Sequence, residues 1–191
     1  MFRLVLVLSL TFNALACGGA AQSDAQTAAT PAAQATAPKD TVITLERSQC
    51  FGTCPSYKLT VYGDGRVVYE GRKFVKVEGA VNDSVTQEQL KQLLAEFDKA
   101  DYFSLRDTYF DATDGCPTYW TDNPTANTSL ELGGKKKAVR HYYGCQEKET
   151  SKDSSFSVYP KKLYELESKI DEIVNTGRWV KGGEKNGNAQ R

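Results

Sequence analysis

The sequence predicts an α+β fold: an antiparallel sheet, made of a four-segment meander plus a hairpin, with two helices packed on one face in the order ββββ-α-ββ-α. Three observations predict it. Tyr57, Leu59 and Val61 alternate with Lys58, Thr60 and Tyr62, the period of a half-buried strand. Two later stretches carry apolar residues at helical spacing, Leu90, Leu93, Leu94 and Phe97 in one and Leu163, Leu166, Ile170, Ile173 and Val174 in the other. The strand segments follow one another through short turns, which suits an antiparallel sheet with its helices on one face.

The meander begins at Val42 to Arg47 and continues through the alternating run ending at Tyr62. Gly63-Asp64-Gly65 makes a tight turn into Arg66-Val67-Val68-Tyr69-Glu70. Gly71-Arg72-Lys73 is expected to turn again, into a fourth strand at Phe74-Val75-Lys76-Val77-Glu78. The first helix has a full set of start signals: Thr86 as N-cap, Gln89 three residues later to complete a capping box, and Val85 to staple onto Leu90. Thr128 to Leu132 and Ala138 to Tyr143 flank Gly133-Gly134 as a second hairpin, with Lys135-Lys136-Lys137 expected at its solvated tip. The last helix is expected to start with Pro160 at its first position and to end at a Gly177 cap.

The N-terminus reads as an export signal. Met1-Phe2-Arg3 precedes an apolar run from Leu4 to Phe12, too short for a bilayer span of roughly 20 residues. Ala14-Leu15-Ala16-Cys17 then offers a small residue followed by Cys, as a lipoprotein peptidase requires, although Leu stands one place later than usual. The expected organisation is a signal peptide over 1–16, a lipidated Cys17 with a disordered Ala/Thr/Gln/Pro tether over 17–40, one domain over 41–180, and a disordered tail over 181–191. Acyl chains such as palmitate on Cys17 would hold the protein in a lipid bilayer. The location expected is extracytoplasmic and membrane-anchored, in the outer membrane if the host has two, since Gly18 is not the Asp that retains lipoproteins in the inner one.

Cysteine arithmetic bears on the same point. Five Cys is an odd number, and with Cys17 acylated four remain. Cys50-Phe51-Gly52-Thr53-Cys54 can be a local disulfide, a reactive redox pair, or half of a zinc site using all four. Pro55 and the strand that follows do not match the helix N-terminus that redox pairs favour. If the local bridge forms, Cys116 and Cys145 are left to pair, although four Cys permit three connectivities.

Cys50-Phe51-Gly52-Thr53-Cys54-Pro55-Ser56-Tyr57, Val61-Tyr62-Gly63-Asp64-Gly65 and Val68-Tyr69-Glu70-Gly71 resemble a bacterial family known only as a domain of unknown function, number 6438. Tyr102-Phe103-Ser104-Leu105, Thr121-Asp122-Asn123-Pro124-Thr125, His141-Tyr142-Tyr143-Gly144-Cys145 and Arg178-Trp179-Val180 extend the resemblance over nearly the whole domain. It implies exported, often lipid-anchored proteins and brings no catalytic residues.

Charge excludes little but is informative: 24 basic and 24 acidic residues give no field that favours nucleic acid or an anionic surface. No Gly-x-Ser-x-Gly elbow and no phosphate-binding Gly loop is present. The single histidine, His141, lies in a strand pattern and reads as structural. The loop from Asp107 to Thr125 is the best ground for a ligand surface, with Asp111, Asp114, Tyr119, Trp120 and Asp122 as its residues. Its carboxylates can ligate calcium, though not at EF-hand spacing, and Asp is also an ordinary turn residue; no cofactor is otherwise expected. Two function classes follow. One is a non-enzymatic binding or structural module of the cell envelope with a protein or glycan partner. The other is an envelope hydrolase or thiol-disulfide redox protein.

Overall fold

A computed structural model describes residues 37–147 and 158–180. Its strands are β1 (Val42–Arg47), β2 (Ser56–Tyr62), β3 (Arg66–Lys73), β4 (Gly79–Ser84), β5 (Thr108–Tyr109), β6 (Thr118–Tyr119), β7 (Thr125–Leu132), β8 (Lys135–Tyr142) and β9 (Cys145–Gln146). Helix α1 spans Gln87–Lys99 and helix α2 spans Lys161–Val174. Seven strands form one sheet in the order β4-β3-β2-β1-β7-β8-β5, antiparallel except where β5 joins β8 in parallel. β6 and β9 form a separate antiparallel pair. The fold is thus α+β with a mostly antiparallel sheet and two helices.

Alternation decides which face of the sheet is covered. Leu45 stands opposite Leu59 on β2 and Thr128 on β7, while Ile43 stands opposite Val61 and Leu130. Leu59 in turn faces Tyr69 on β3. All of these are buried, whereas the intervening Thr44, Thr60, Ser129 and Lys136 are half-buried or exposed. Leu90, Leu93 and Phe97 of α1 and Leu163, Leu166, Ile170 and Val174 of α2 belong to the same core. One face is therefore packed and the other meets water, as antiparallel sheets allow. Each fully buried Leu or Ile contributes roughly 1.5–3 kcal/mol, so Leu93→Ala would cost about 2–5 kcal/mol.

The start of α1 matches its sequence. Thr86 Oγ1 accepts from Gln89 N at 3.1 Å and Gln89 Oε1 accepts from Thr86 N at 2.9 Å, a closed capping box. At the other helix, Pro160 is the N-cap and the left-handed C-cap is Asn175, with φ 59°, where the sequence suggested Gly177. Asn tolerates that region, and its N–H reaches back to Asp171 and Glu172 carbonyls.

The fourth strand is where the sequence misleads most. Phe74–Glu78 is a bend rather than a strand, and β3 continues through Lys73. Phe74 has φ 55°, and Val77 N donates to Trp179 O at 2.9 Å instead of to a neighbouring strand. Val75 is buried and Val77 packs on the core, so their apolar side chains pull this segment inward. The Val77 carbonyl lies against Gly71, where a Cβ would come within 2.0 Å of it. Pairing with β3 resumes only at Gly79, through residues of weaker strand signal. Lys135–Lys137 likewise do not form a tip: they begin β8, and the two-residue turn is Gly133-Gly134, with φ 56° and 76°.

The sheet has two distinct poles. At one, the chain enters β1, and the β2–β3 and β7–β8 turns close beside it: Gly63 N donates to Thr41 O at 2.8 Å and Gly134 N to Asp40 Oδ2 at 3.1 Å. At the other, β1 ends beside the start of β7, with Ser48 N donating to Thr125 O at 2.8 Å. Both cysteine pairs lie at this second pole, Cys50 with Cys54 and Cys116 with Cys145, at Cα separations of 5.6 and 5.3 Å.

Candidate functional site

The second pole carries most of the chemistry that the sequence singled out. After β5, Asp111 caps a short 3-10 turn over Ala112–Asp114: its Oδ1 accepts from Thr113 N at 2.8 Å and from Thr113 Oγ1 at 2.6 Å. Asp114 turns back, accepting from Phe110 N at 2.7 Å and Asp111 N at 2.9 Å through Oδ1, and from Thr108 Oγ1 at 3.0 Å through Oδ2. The Thr113 hydroxyl and amide hold the Asp111 carboxyl below the usual carboxylate range. Asp122, in the left-handed region at φ 70°, accepts from Thr121 Oγ1 at 3.1 Å. These carboxylates shape their own loop. Among the described residues no three His, Cys, Asp or Glu side chains gather as a metal cluster.

The loop presents aromatic rings instead. Trp120 is 59 % exposed, Tyr119 47 %, and Phe51, inside the Cys50–Cys54 ring, 89 %. The Trp120 backbone is fixed on both sides: its N–H donates to Gly144 O at 2.8 Å, and its carbonyl accepts from Tyr142 Oη at 2.8 Å. Tyr142 lies between Tyr119 and Phe110, with ring centroids 5.3 and 5.1 Å away, and the Arg140 guanidinium stacks over Phe110 at 4.0 Å. The Cys116–Cys145 bridge ties β9 to the loop that leads into β6, which bears Tyr119. The structure therefore brings Tyr119, Trp120, Asp111, Asp114 and Asp122 onto one loop, with the rings outward and the turn carboxylates engaged. Cys50 and Cys54 sit in the β1–β2 loop, where no helix begins.

A groove of about 650 Å³ opens along β8, lined by Phe103, Asp107, Asn127, Lys136, Ala138 and Arg140 among others. Its lysines are already paired: Lys137 with Asp107 at 2.7 Å and Lys136 with Glu131.

Beneath this pole, between sheet and α2, lies a buried polar network that the sequence did not reveal. The Arg47 guanidinium meets Asp171 Oδ2 at 2.7 Å through Nη2 and also donates to Tyr57 Oη at 3.0 Å, to Tyr143 Oη and to Glu167 O. Tyr57 Oη and Thr176 Oγ1 both donate to Asp171 Oδ1, at 2.6 and 2.7 Å. His141 Nδ1 is 3.0 Å from each Glu167 oxygen, and Nε2 is 3.1 Å from Tyr159 O. A carbonyl only accepts, so the contact from Nε2 to Tyr159 O is a donated hydrogen bond. Burial alone would lower the Arg47 pKa, but its surroundings of Tyr143, Asp171, Tyr57 and Glu167 hold it well above the ordinary arginine value. Burial pushes the Tyr57 and Tyr143 hydroxyls up, against the opposing pull of Arg47. His141 and Glu167 are fully buried, so this network holds α2 on the sheet rather than meeting solvent. One signal for it was present: Glu167 and Asp171 stand one helical turn apart, within the apolar stripe of α2.

Fold and site together define a two-layer α+β module whose ring-bearing loops are clamped by two cysteine pairs. The chain belongs to the family described as a domain of unknown function (DUF6438), which matches residues 41–174. No curated protein matches it.

Proposed function

We propose that the protein is an exported lipoprotein whose domain is a non-enzymatic binding module of the cell envelope, with a protein or glycan partner. The observation that carries the reading is the cysteine pairing: Cys50 with Cys54 and Cys116 with Cys145 leave Cys17 as the odd one. Disulfides persist in oxidising compartments, and a cysteine directly after a signal peptide of 1–16 is the acceptor for acylation. Cys17, the signal and the 181–191 tail lie outside the described residues. Among those described, no helix is long and apolar enough to cross a membrane; the anchor proposed is the acylated Cys17.

The two poles support the binding part of the reading. The chain enters the domain where β1 begins, and the exposed rings stand at the pole where β1 ends. Aromatic side chains, with only two rotatable bonds, lose little entropy on binding and are frequent anchors of recognition surfaces. The test is fractionation of the producing cell with metabolic palmitate labelling. Wild-type chain is expected in the membrane fraction and labelled, and Cys17→Ser soluble and unlabelled. A soluble, unlabelled wild type would overturn the reading.

A further inference from the structure

Building on the reading of the domain as a binding module, we infer that the groove along β8 and the ring platform at its end form one continuous site for a linear glycan. Lys136, Ala138, Arg140 and Tyr142 alternate along β8 and share the face that the helices leave open. From Lys136 to Tyr142 they extend about 20 Å at the strand's rise per residue. Arg140 lines the groove and also stacks on Phe110, which leads through Tyr142 to Tyr119 and then Trp120. A ligand lying in the groove is thereby carried onto the aromatic platform.

Three observations select a glycan over other occupants. The first is size. Scaled by their exposure, Tyr119 and Trp120 offer roughly 250 Å² of ring-bearing surface on one loop. An exposed ring platform of that extent takes a few sugar rings face on. The second is charge. Asp107 and Lys137 neutralise each other in the groove, Lys136 is paired with Glu131 beside it, and Arg140 stacked on Phe110 is left as a single cation among the described residues there, which suits a chain of hydroxyls rather than a strongly charged polymer. The third is the mixture of groups. Asn127 supplies an amide beside these paired charges, and the C–H faces of a pyranose stack on rings while its rim hydroxyls need such donors and acceptors.

The test uses the full chain in detergent micelles, titrated with N-acetylglucosamine hexamer and with cellohexaose. Trp179 is buried, so iodide quenching of tryptophan emission reports on Trp120. Saturable protection of Trp120 by either oligosaccharide is expected. Calorimetry should show at least tenfold weaker binding for Trp120→Ala, with circular dichroism confirming an unchanged fold. The inference is overturned if neither sugar binds up to millimolar concentration, or if Trp120→Ala binds as well as wild type. A membrane-bound, palmitate-labelled chain that ignores both sugars would remove the glycan and leave the lipoprotein module standing.

Discussion

Arg47 and Asp171, 124 residues apart in sequence, meet at 2.7 Å beneath the second pole and join the end of β1 to the last turns of α2. Removing one partner strands the other charge in a buried setting, which costs about 3–5 kcal/mol. Asp171→Ala is therefore expected to lower the urea unfolding free energy by that amount. Arg47→Met combined with Asp171→Leu should lose clearly less than the two single changes added together. Additive losses would mean that the two residues do not interact.

The same region fixes the response to alkali. Burial raises the hydroxyls of Tyr57, Tyr102 and Tyr143 well above 10, and that of Tyr69 to about 12. In the unfolded chain each ionises near pH 10, so above that pH the unfolded state sheds protons that the folded state keeps. Stability is intact below pH 10 and then falls by about 1.4 kcal/mol per pH unit for each tyrosine. By pH 11 the four together remove roughly 5 kcal/mol, a large part of a domain's usual 5–15. Absorbance at 295 nm should therefore rise together with the loss of circular dichroism. Full tyrosine ionisation in a chain with native dichroism would contradict this.

The two cysteine pairs should differ in their contribution. They close loops of sequence separation 4 and 29. Chain entropy gives about 2 kcal/mol for the shorter and about 3.6 kcal/mol for the longer. Cys116→Ser with Cys145→Ser is thus expected to lower the melting temperature more than Cys50→Ser with Cys54→Ser. Calorimetry on the two double variants would decide, and the reverse order would refute the loop-entropy account.

Gly144 is the most constrained glycine of the platform. A Cβ there would sit 2.0 Å from Trp120 O and 2.2 Å from the Tyr142 ring. Gly144→Ala must push the β6 loop away and break the hydrogen bond between Trp120 and residue 144. Iodide quenching of Trp120 and the melting temperature should both change, whereas Gly177→Ala, with open space around it, should leave both unaltered.

Much of the fold was legible because local patterns and tertiary structure agreed. The capping box at Thr86 and Gln89 formed as read, and the period-two run at Tyr57–Val61 faces the core as its alternation requires. The bend at Phe74–Glu78 was hidden because Val75 and Val77 suit a strand equally well, and only the burial of Val75 and the hydrogen bond from Val77 N to Trp179 O separate the two outcomes. β5, β6 and β9 have two residues each, below the length at which any period can be read. The ring-bearing loop was visible in composition. Of the Arg47 network only the Glu167–Asp171 spacing on α2 is local; its other members come from β1, β2, β8 and their flanks, and no local pattern links them to α2.

The antiparallel registry of β1 with β7 has a mechanical consequence. A load between Val42, where the chain enters, and Thr125, next to the ring-bearing loop, pulls adjacent strands lengthwise past each other. All six registered pairs from Val42–Glu131 to Arg47–Ala126 then bear the force together instead of opening one by one. A domain held at one pole and gripped at the other would yield only when the whole central ladder sheared, with β1 buttressed on its far edge by β2.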